Sequence, residues 1–239
     1  MTSVSGLRII DAAGVTVWRV GRAPDPWAWI DYRYAGGQRW DDSGNEFRTI
    51  YAADSLYACF VEILAHLRPD LNDDGSPLLS DIVEDPEDAT EFPVPAAGTV
   101  DRPWLSGKMA ASATLDGRYV DVSASNTIAS LRSNFLQFAV SLGFDDFDAA
   151  ALKTAYPRDL TQRVASVLYS QIDPDGSPVA DGVRFGSRHG DDLRMWAVFE
   201  RPGDDPSSRR LSGVTVGLVD LEHPELAQAM VLHGLTWRT

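Results

Sequence analysis

Apolar positions along the chain recur at two periods, and the change from one to the other marks the elements. Residues 7–20 predict two short strands around the turn residues Asp11-Ala12-Ala13-Gly14, the second alternating apolar and polar through Val15-Thr16-Val17-Trp18-Arg19-Val20. Thr49-Ile50-Tyr51-Ala52 predicts a further short strand, as do residues 118–122, 182–186, 194–200 and 213–219. Helical spacing appears at Leu56, Phe60, Ile63, Leu64 and Leu67, after the cap candidates Asp54 and Ser55 and before Pro69. A second helix over about 126–142 carries Ile128, Leu131, Phe135, Phe138 and Leu142 and stops at Gly143. A third begins at Asp159, with Gln162 as a capping-box partner, and buries Leu160, Val164, Val167 and Leu168. A short helix from Pro224 to about His233 follows the last strand.

The helix after Ser55 has a second stripe. Ser55, Cys59, Glu62 and His66 follow at steps of four, three and four, and about 100° per residue places them beside the buried face. Glu62 therefore stands at a boundary between core and open space, where a catalytic carboxylate would sit.

Strands and helices alternate without a regular βαβ repeat, so the expected fold class is α+β, a single domain over 1–239 with mixed small sheets and packed helices. Residues 69–180 form an enlarged middle region, of which 69–103, acidic and proline-rich, read as a long loop or insertion. Asp-Gly-Ser-Pro occurs at 74–77 and 175–178 with unmatched flanks, two turns and not a repeat.

The formal net charge of −14 works against binding a phosphate backbone, and a basic partner protein is easier to accommodate. No run approaches a membrane span, and the start of the chain lacks the basic and apolar regions of a secretion signal. Cys59 is the single cysteine, so nothing calls for an oxidising compartment and a cytoplasmic location is expected. Asp70, Asn72, Asp74, Gly75 and Asp81 approximate a calcium loop, but Pro77, Leu78 and the short final carboxylate argue for an acidic surface loop. The four histidines are isolated, so no metal is expected. P-loop, dinucleotide-binding GxGxxG and nucleophile-elbow patterns do not occur.

Four segments carry the candidate chemistry: Trp18-Arg19-Val20; Gly36-Gly37-Gln38-Arg39-Trp40; Tyr51 followed eleven residues later by Glu62; and Asp181-Gly182-Val183-Arg184-Phe185-Gly186-Ser187-Arg188. In this order and spacing the chain resembles the RES family, named for an arginine, a glutamate and a serine. The early arginine, the GGRW-type loop, the strand with Tyr51 and the helix with Glu62 are similar to the family's N-terminal half, and the segment around Ser187 to its serine motif. Two departures stand out: Gln38 is inserted between the glycines and Arg39, and Asp41 replaces a usual Asn. The resemblance implies a fold related to ADP-ribosyltransferases and NAD⁺ as substrate. It also implies kinship with toxins that deplete NAD⁺ by phosphorolysis or hydrolysis, or modify a protein, and whose partner is an Xre-like, DNA-binding antitoxin.

Residue chemistry is compatible with that implication. An arginine fork suits a pyrophosphate, so Arg19 and Arg39 are candidate NAD⁺ ligands, although each could equally be a structural arginine. Loss of nicotinamide leaves an oxocarbenium-like ribose, which a carboxylate stabilises, and Glu62 is the candidate. Tyr51 suits stacking on the nicotinamide ring or a half-buried structural role. Ser187 suits a hydrogen bond to a ribose hydroxyl or a phosphate, with no base visible to make it a nucleophile. The catalytic set is thus Glu62, Arg39 and Ser187, and the substrate-binding set Arg19, Arg39, Tyr51 and Ser187. Water, inorganic phosphate as co-substrate, or a protein could each be the acceptor. A non-catalytic nucleotide- or partner-binding module is the reading from another class, and the sequence accommodates an oligomer as readily as a monomer.

Overall fold

In the computed structural model, residues 4–69 and 98–238 are described, so most of the expected 69–103 insertion and all of the calcium-like loop lie outside the described residues. The strands are β1 (Ile9–Asp11), β2 (Val15–Arg22), β3 (Thr49–Ala53), β4 (Thr99–Val100), β5 (Lys108–Leu115), β6 (Arg118–Asp121), β7 (Gly182–Ser187), β8 (Gly190–Phe199), β9 (Leu211–Leu218) and β10 (Thr236–Trp237). The helices are α1 (Leu56–Leu64), α2 (Ser125–Ser141), α3 (Ala149–Lys153), α4 (Asp159–Tyr169) and α5 (Pro224–Leu232). The fold is α+β.

Eight strands join in the order β1-β6-β7-β8-β3-β2-β5-β9, antiparallel except for β6 beside β7, and β4 pairs with β10 in a separate parallel ribbon. The large sheet has a weak seam. β2 and β3 share one registered pair, Trp18 with Ala53, whereas β2 and β5 pair along all eight residues of each. The sheet is thus two parts, β1-β6-β7-β8-β3 and β2-β5-β9, hinged at a single pair.

Central strands are covered on both faces, and their sequences show it. In β8, Met195, Ala197 and Phe199 enter the core formed with the helices, while Trp196 and Val198 enter a second core with Trp27, Trp29, Ile50 and Ala52. Alternation in a strand sends successive side chains to opposite faces, so an unbroken apolar run marks a strand buried on both. The helical layer takes Phe60 and Leu64 from α1, Leu131 and Phe135 from α2, and Leu160 and Val164 from α4.

Local choices mostly follow sequence signals. Ser55 caps α1, its hydroxyl accepting the Ala58 N–H at 3.1 Å, while Asp54 instead accepts the Trp196 indole N–H. The α-helix ends at Leu64 and tightens into a 3₁₀ turn over Ala65–Leu67, short of the expected Arg68. Gly143, at φ 92°, ends α2 as its position predicts. The capping box at α4 does not form: Gln162 sends its amide to the carbonyls of Gly36 and Gln38 instead. Strand β5 was not predicted, because Lys108-Met109-Ala110-Ala111-Ser112-Ala113-Thr114-Leu115 carries small residues where alternation is faint. The five-residue α3 and strand β4 were likewise not predicted.

Gly182 shows how tightly β7 and β8 approach. A Cβ there would lie 2.0 Å from the Ala197 carbonyl oxygen, a backbone atom that cannot step aside. Gly182→Ala should lower the unfolding free energy by an amount at the upper end of the about 1–3 kcal/mol usual for overpacking. Gly37→Ala, with nothing within 4 Å of the added carbon, should stay close to wild type. Urea unfolding of both variants checks the contrast.

Candidate active site

The parting of β2 from β3 beyond Trp18 and Ala53 leaves a fork, and a cleft of about 660 Å³ occupies it. Arg19, Val20 and Arg22 line it from β2, Tyr51 and Ala52 from β3, and Cys59, Glu62 and His66 from α1 and the turn after it. Gln38, Arg39 and Phe185 complete the side towards the glycine-bearing loop. The size falls within the range of small-molecule and cofactor sites.

Arg19 bridges the fork. Its Nε donates to the Pro26 carbonyl and its Nη1 to the Tyr51 carbonyl, each at 2.7 Å. The second bond replaces a ladder partner that Tyr51 lacks where the strands part. Burial lowers the Arg19 pKa from its ordinary value, with Cys59 and Tyr51 acting in the opposite sense. Burial also pushes the Cys59 thiol up to about 12, so this cysteine is an inert wall residue whose Sγ donates to the Trp18 carbonyl.

The loop bearing Arg39 is pinned from two sides. The Tyr51 hydroxyl accepts the Trp40 N–H and donates to Asp41 Oδ1, both at 2.9 Å. Asp41 Oδ2 accepts the N–H of the inserted Gln38 at 2.8 Å, so both of its oxygens are used, which an Asn could not match. From α4, Gln162 donates to Gly36 and Gln38, and Ser166 donates to Asp42 at 2.5 Å. The two departures from the family pattern, Gln38 and Asp41, are therefore partners in one hydrogen bond. Burial, then the neighbouring Asp41, raises the Tyr51 pKa well above its ordinary value, so the phenol stays protonated.

Arg39 donates one Nη to the Leu152 carbonyl and stands 5.3 Å from the centre of the Phe185 ring. Its buried Nε has no hydrogen-bond partner among the described residues, a donor left over. Burial lowers its pKa, against the attraction of Glu62.

Glu62 is half-buried, as the boundary stripe predicts, and Ser187 holds it. The Ser187 hydroxyl donates to Glu62 Oε1 at 2.5 Å and accepts the His189 N–H at 2.9 Å. A residue from the last third of the chain thus orients a carboxylate from the first. Four of the predicted residues, Arg19, Arg39, Tyr51 and Glu62, line one cleft, and the fifth, Ser187, is joined to it through Glu62.

Other groups close to Glu62 were not singled out from sequence. His233, at the end of α5, has its Nε2 2.8 Å from the Val61 carbonyl, so that nitrogen donates, and its Nδ1 accepts from Arg68 Nε at 2.6 Å. Arg68 Nη2 also lies 3.2 Å from His189 Nδ1, and Arg188 Nε lies 3.3 Å from His189 Nε2. A neutral imidazole accepts at one nitrogen only, so His189 bonds one of these arginines at a time. Burial first, then Arg68 and Arg188, lowers the His189 pKa to about 4. Among the described residues neither Arg68 nor Arg188 has a carboxylate within ion-pair distance, so a basic edge borders Glu62 in a chain of net charge −14. Sequence spacing gives no sign of it, since positions 68, 188, 189 and 233 meet only in the fold. No group of three or more His, Cys, Asp and Glu among the described residues could hold a metal ion.

A split sheet with an arginine, a glutamate and a serine gathered at its seam defines the class, and the chain belongs to the RES domain family, which matches residues 16–215. Among solved structures it is similar to one from the M. tuberculosis MbcT–MbcA toxin–antitoxin complex, at 17% identity and a TM-score of 0.44, over 95% of this chain and 92% of that one. A search of curated proteins finds no match.

Two outcomes are expected of this network. Tyr51→Phe strands the Trp40 N–H and should cost about 1–3 kcal/mol of stability, read by urea unfolding. The His189 pKa is depressed on folding, so the unfolded chain binds the proton more readily between about pH 6.5 and 4. The thermal midpoint should therefore fall as pH drops through that window, and His189→Gln should shallow the fall. An unchanged slope in the variant would show that His189 is not desolvated.

Proposed function

We propose that the protein consumes NAD⁺ by breaking the bond between nicotinamide and its ribose. The observation that carries this reading is the Ser187 hydrogen bond to Glu62, at a cleft also lined by Arg19, Arg39 and Tyr51. As the C–N bond breaks, nicotinamide leaves neutral with the bonding pair, and positive charge moves onto the ribose. A carboxylate already oriented and partly desolvated stabilises that charge without reorganising, as in glycoside cleavage. Ser187 is thus a positioning residue in the free enzyme, in place of the substrate contact its type first suggests. The Nη1 of Arg39 and the Nη2 of Arg19, neither of which is given to a carbonyl, are the groups that would meet the pyrophosphate. The Tyr51 hydroxyl is committed to the loop, so its ring, and not its oxygen, is what the nicotinamide would meet.

Water or inorganic phosphate then attacks the ribose carbon, giving ADP-ribose and a proton or ADP-ribose phosphate. Arg68 and Arg188 at the edge of the site, which meet histidines and no carboxylate among the described residues, favour an anionic acceptor, and so phosphorolysis. Membership of the RES family supports a toxin-type role with an Xre-like antitoxin as partner. DNA contact would fall to that partner, given the acidic charge of this chain.

Purified protein should release nicotinamide from NAD⁺, faster with phosphate present. Glu62→Gln should lose at least about 100-fold in turnover while keeping its thermal midpoint. Full activity in that variant would remove Glu62 from the mechanism, and label from NAD⁺ retained on a protein would point to ADP-ribosyl transfer instead.

A further inference from the structure

The two edges of the large sheet are managed differently. β1, at one end, is three residues long, which blunts it. β9, at the other, runs for eight residues, Leu211-Ser212-Gly213-Val214-Thr215-Val216-Gly217-Leu218, without a charge or a proline. Every residue from Ser212 to Leu218 is exposed, so among the described residues neither face of the strand is covered and no strand pairs with its outer edge. Val214, Val216 and Leu218 are 48%, 43% and 80% exposed, three large apolar side chains open to solvent on one strand. Such an edge, with its backbone N–H and C=O groups open, is a template for another strand.

The geometry points to a second copy of this chain as that strand, paired antiparallel with β9 about a two-fold axis through Val216. Three observations favour self-pairing. The register between β9 and β5 shifts at Gly213, whose φ of 57° makes a bulge, and the regular edge left is Val214 to Leu218. Antiparallel pairing of that segment with itself sets Val216 against Val216 and Val214 against Leu218, so all three apolar side chains of each copy share one face. That face continues the second core, because Val216 is registered beside Ala111, a buried member of it. The small Thr215 and Gly217 oppose each other on the other face and leave room for the backbones to approach.

Charge decides between partners. The chain carries −14, and two copies repel wherever acidic surfaces meet, but this strand is neutral along its whole length. A strongly basic or acidic partner strand would find no charge to pair with. An interface of one strand pair lies at the small end of specific contacts, so the dimer should be concentration-dependent. β9 lies on the far side of β5 and β2 from the fork, which leaves the cleft open in both copies.

Sedimentation of the full chain across a 100-fold concentration range tests this. Wild type should move from the 26.1 kDa of one chain towards twice that mass, Val216→Lys should remain a monomer throughout, and Val216→Thr should still dimerise. An unchanged thermal midpoint for Val216→Lys shows that it is folded. If that midpoint falls, hydrogen exchange on wild type replaces it, and the amides of 214–218 should gain protection as concentration rises. A wild type that stays monomeric, a Val216→Lys variant that dimerises as before, or β9 amides protected only when a different protein is added would each overturn self-pairing.

Discussion

Two strands that meet at a single residue pair set the terms for the rest of this molecule. Trp18 and Ala53 hold β2 to β3, and beyond them the backbones separate. Backbone groups in a parted sheet still need partners, since an unpaired one away from water costs as much as a lost hydrogen bond. Arg19 answers for Tyr51, donating to its carbonyl across the gap, and its second bond to Pro26 ties in the segment that carries Trp27 into the second core. Cys59 answers for Trp18 from α1. The cleft is therefore a place where sheet hydrogen bonding has been exchanged for side-chain hydrogen bonding. That exchange is why a guanidinium stands there at all.

The same arginine has to serve structure and substrate, and the geometry divides its donors. Nε and Nη1 are committed to carbonyls, which leaves Nη2 on a side chain that lines the cleft. Arg39 divides likewise, one Nη on Leu152 and a buried Nε unpaired. Fixing a guanidinium by neutral carbonyls leaves its charge intact, whereas a carboxylate partner would cancel it. Arg48, held at 2.5 Å by Glu200 on another part of the surface, shows the alternative. In an acidic chain, positive charge at one site survives only where the local arginines are kept away from such partners, and Arg19, Arg39, Arg68 and Arg188 all are among the described residues.

Much of this was legible in the sequence, and what was not has a physical reason. Helical spacing with Ser55 as cap located α1 and put Glu62 on its boundary stripe, because periodicity is a local property that survives without tertiary context. The order Arg19, Arg39, Tyr51, Glu62 carried the family resemblance for the same reason: all four lie within one stretch of about 45 residues. Strand β5 escaped notice because Ala110, Ala111, Ser112 and Ala113 barely distinguish a buried face from an exposed one. Gln162 looked like a capping residue and instead holds the loop at Gly36 and Gln38, a contact across 124 and 126 positions that no local rule can see. The basic edge of Arg68, Arg188 and His189 escaped for the same reason.

Those long-range contacts also explain the enlarged middle of the chain. α4 presents Gln162 and Ser166 to the loop, and Leu152, which α3 supplies, accepts from Arg39. The region between the two family motifs is thus where the loop's far wall is built. An inserted residue in that loop, Gln38, adds a backbone N–H and a carbonyl that must be satisfied. The Asp41 carboxylate takes the first, and Gln162 and the Asp41 N–H share the second. With Asn at 41, whose single carbonyl oxygen already meets Tyr51, the Gln38 N–H would have no acceptor there. Gln38, Asp41 and the α4 glutamine therefore hold the loop together: Asp41 supplies the acceptor for the Gln38 N–H, and Gln162 adds a donor to a carbonyl that the Asp41 N–H also meets.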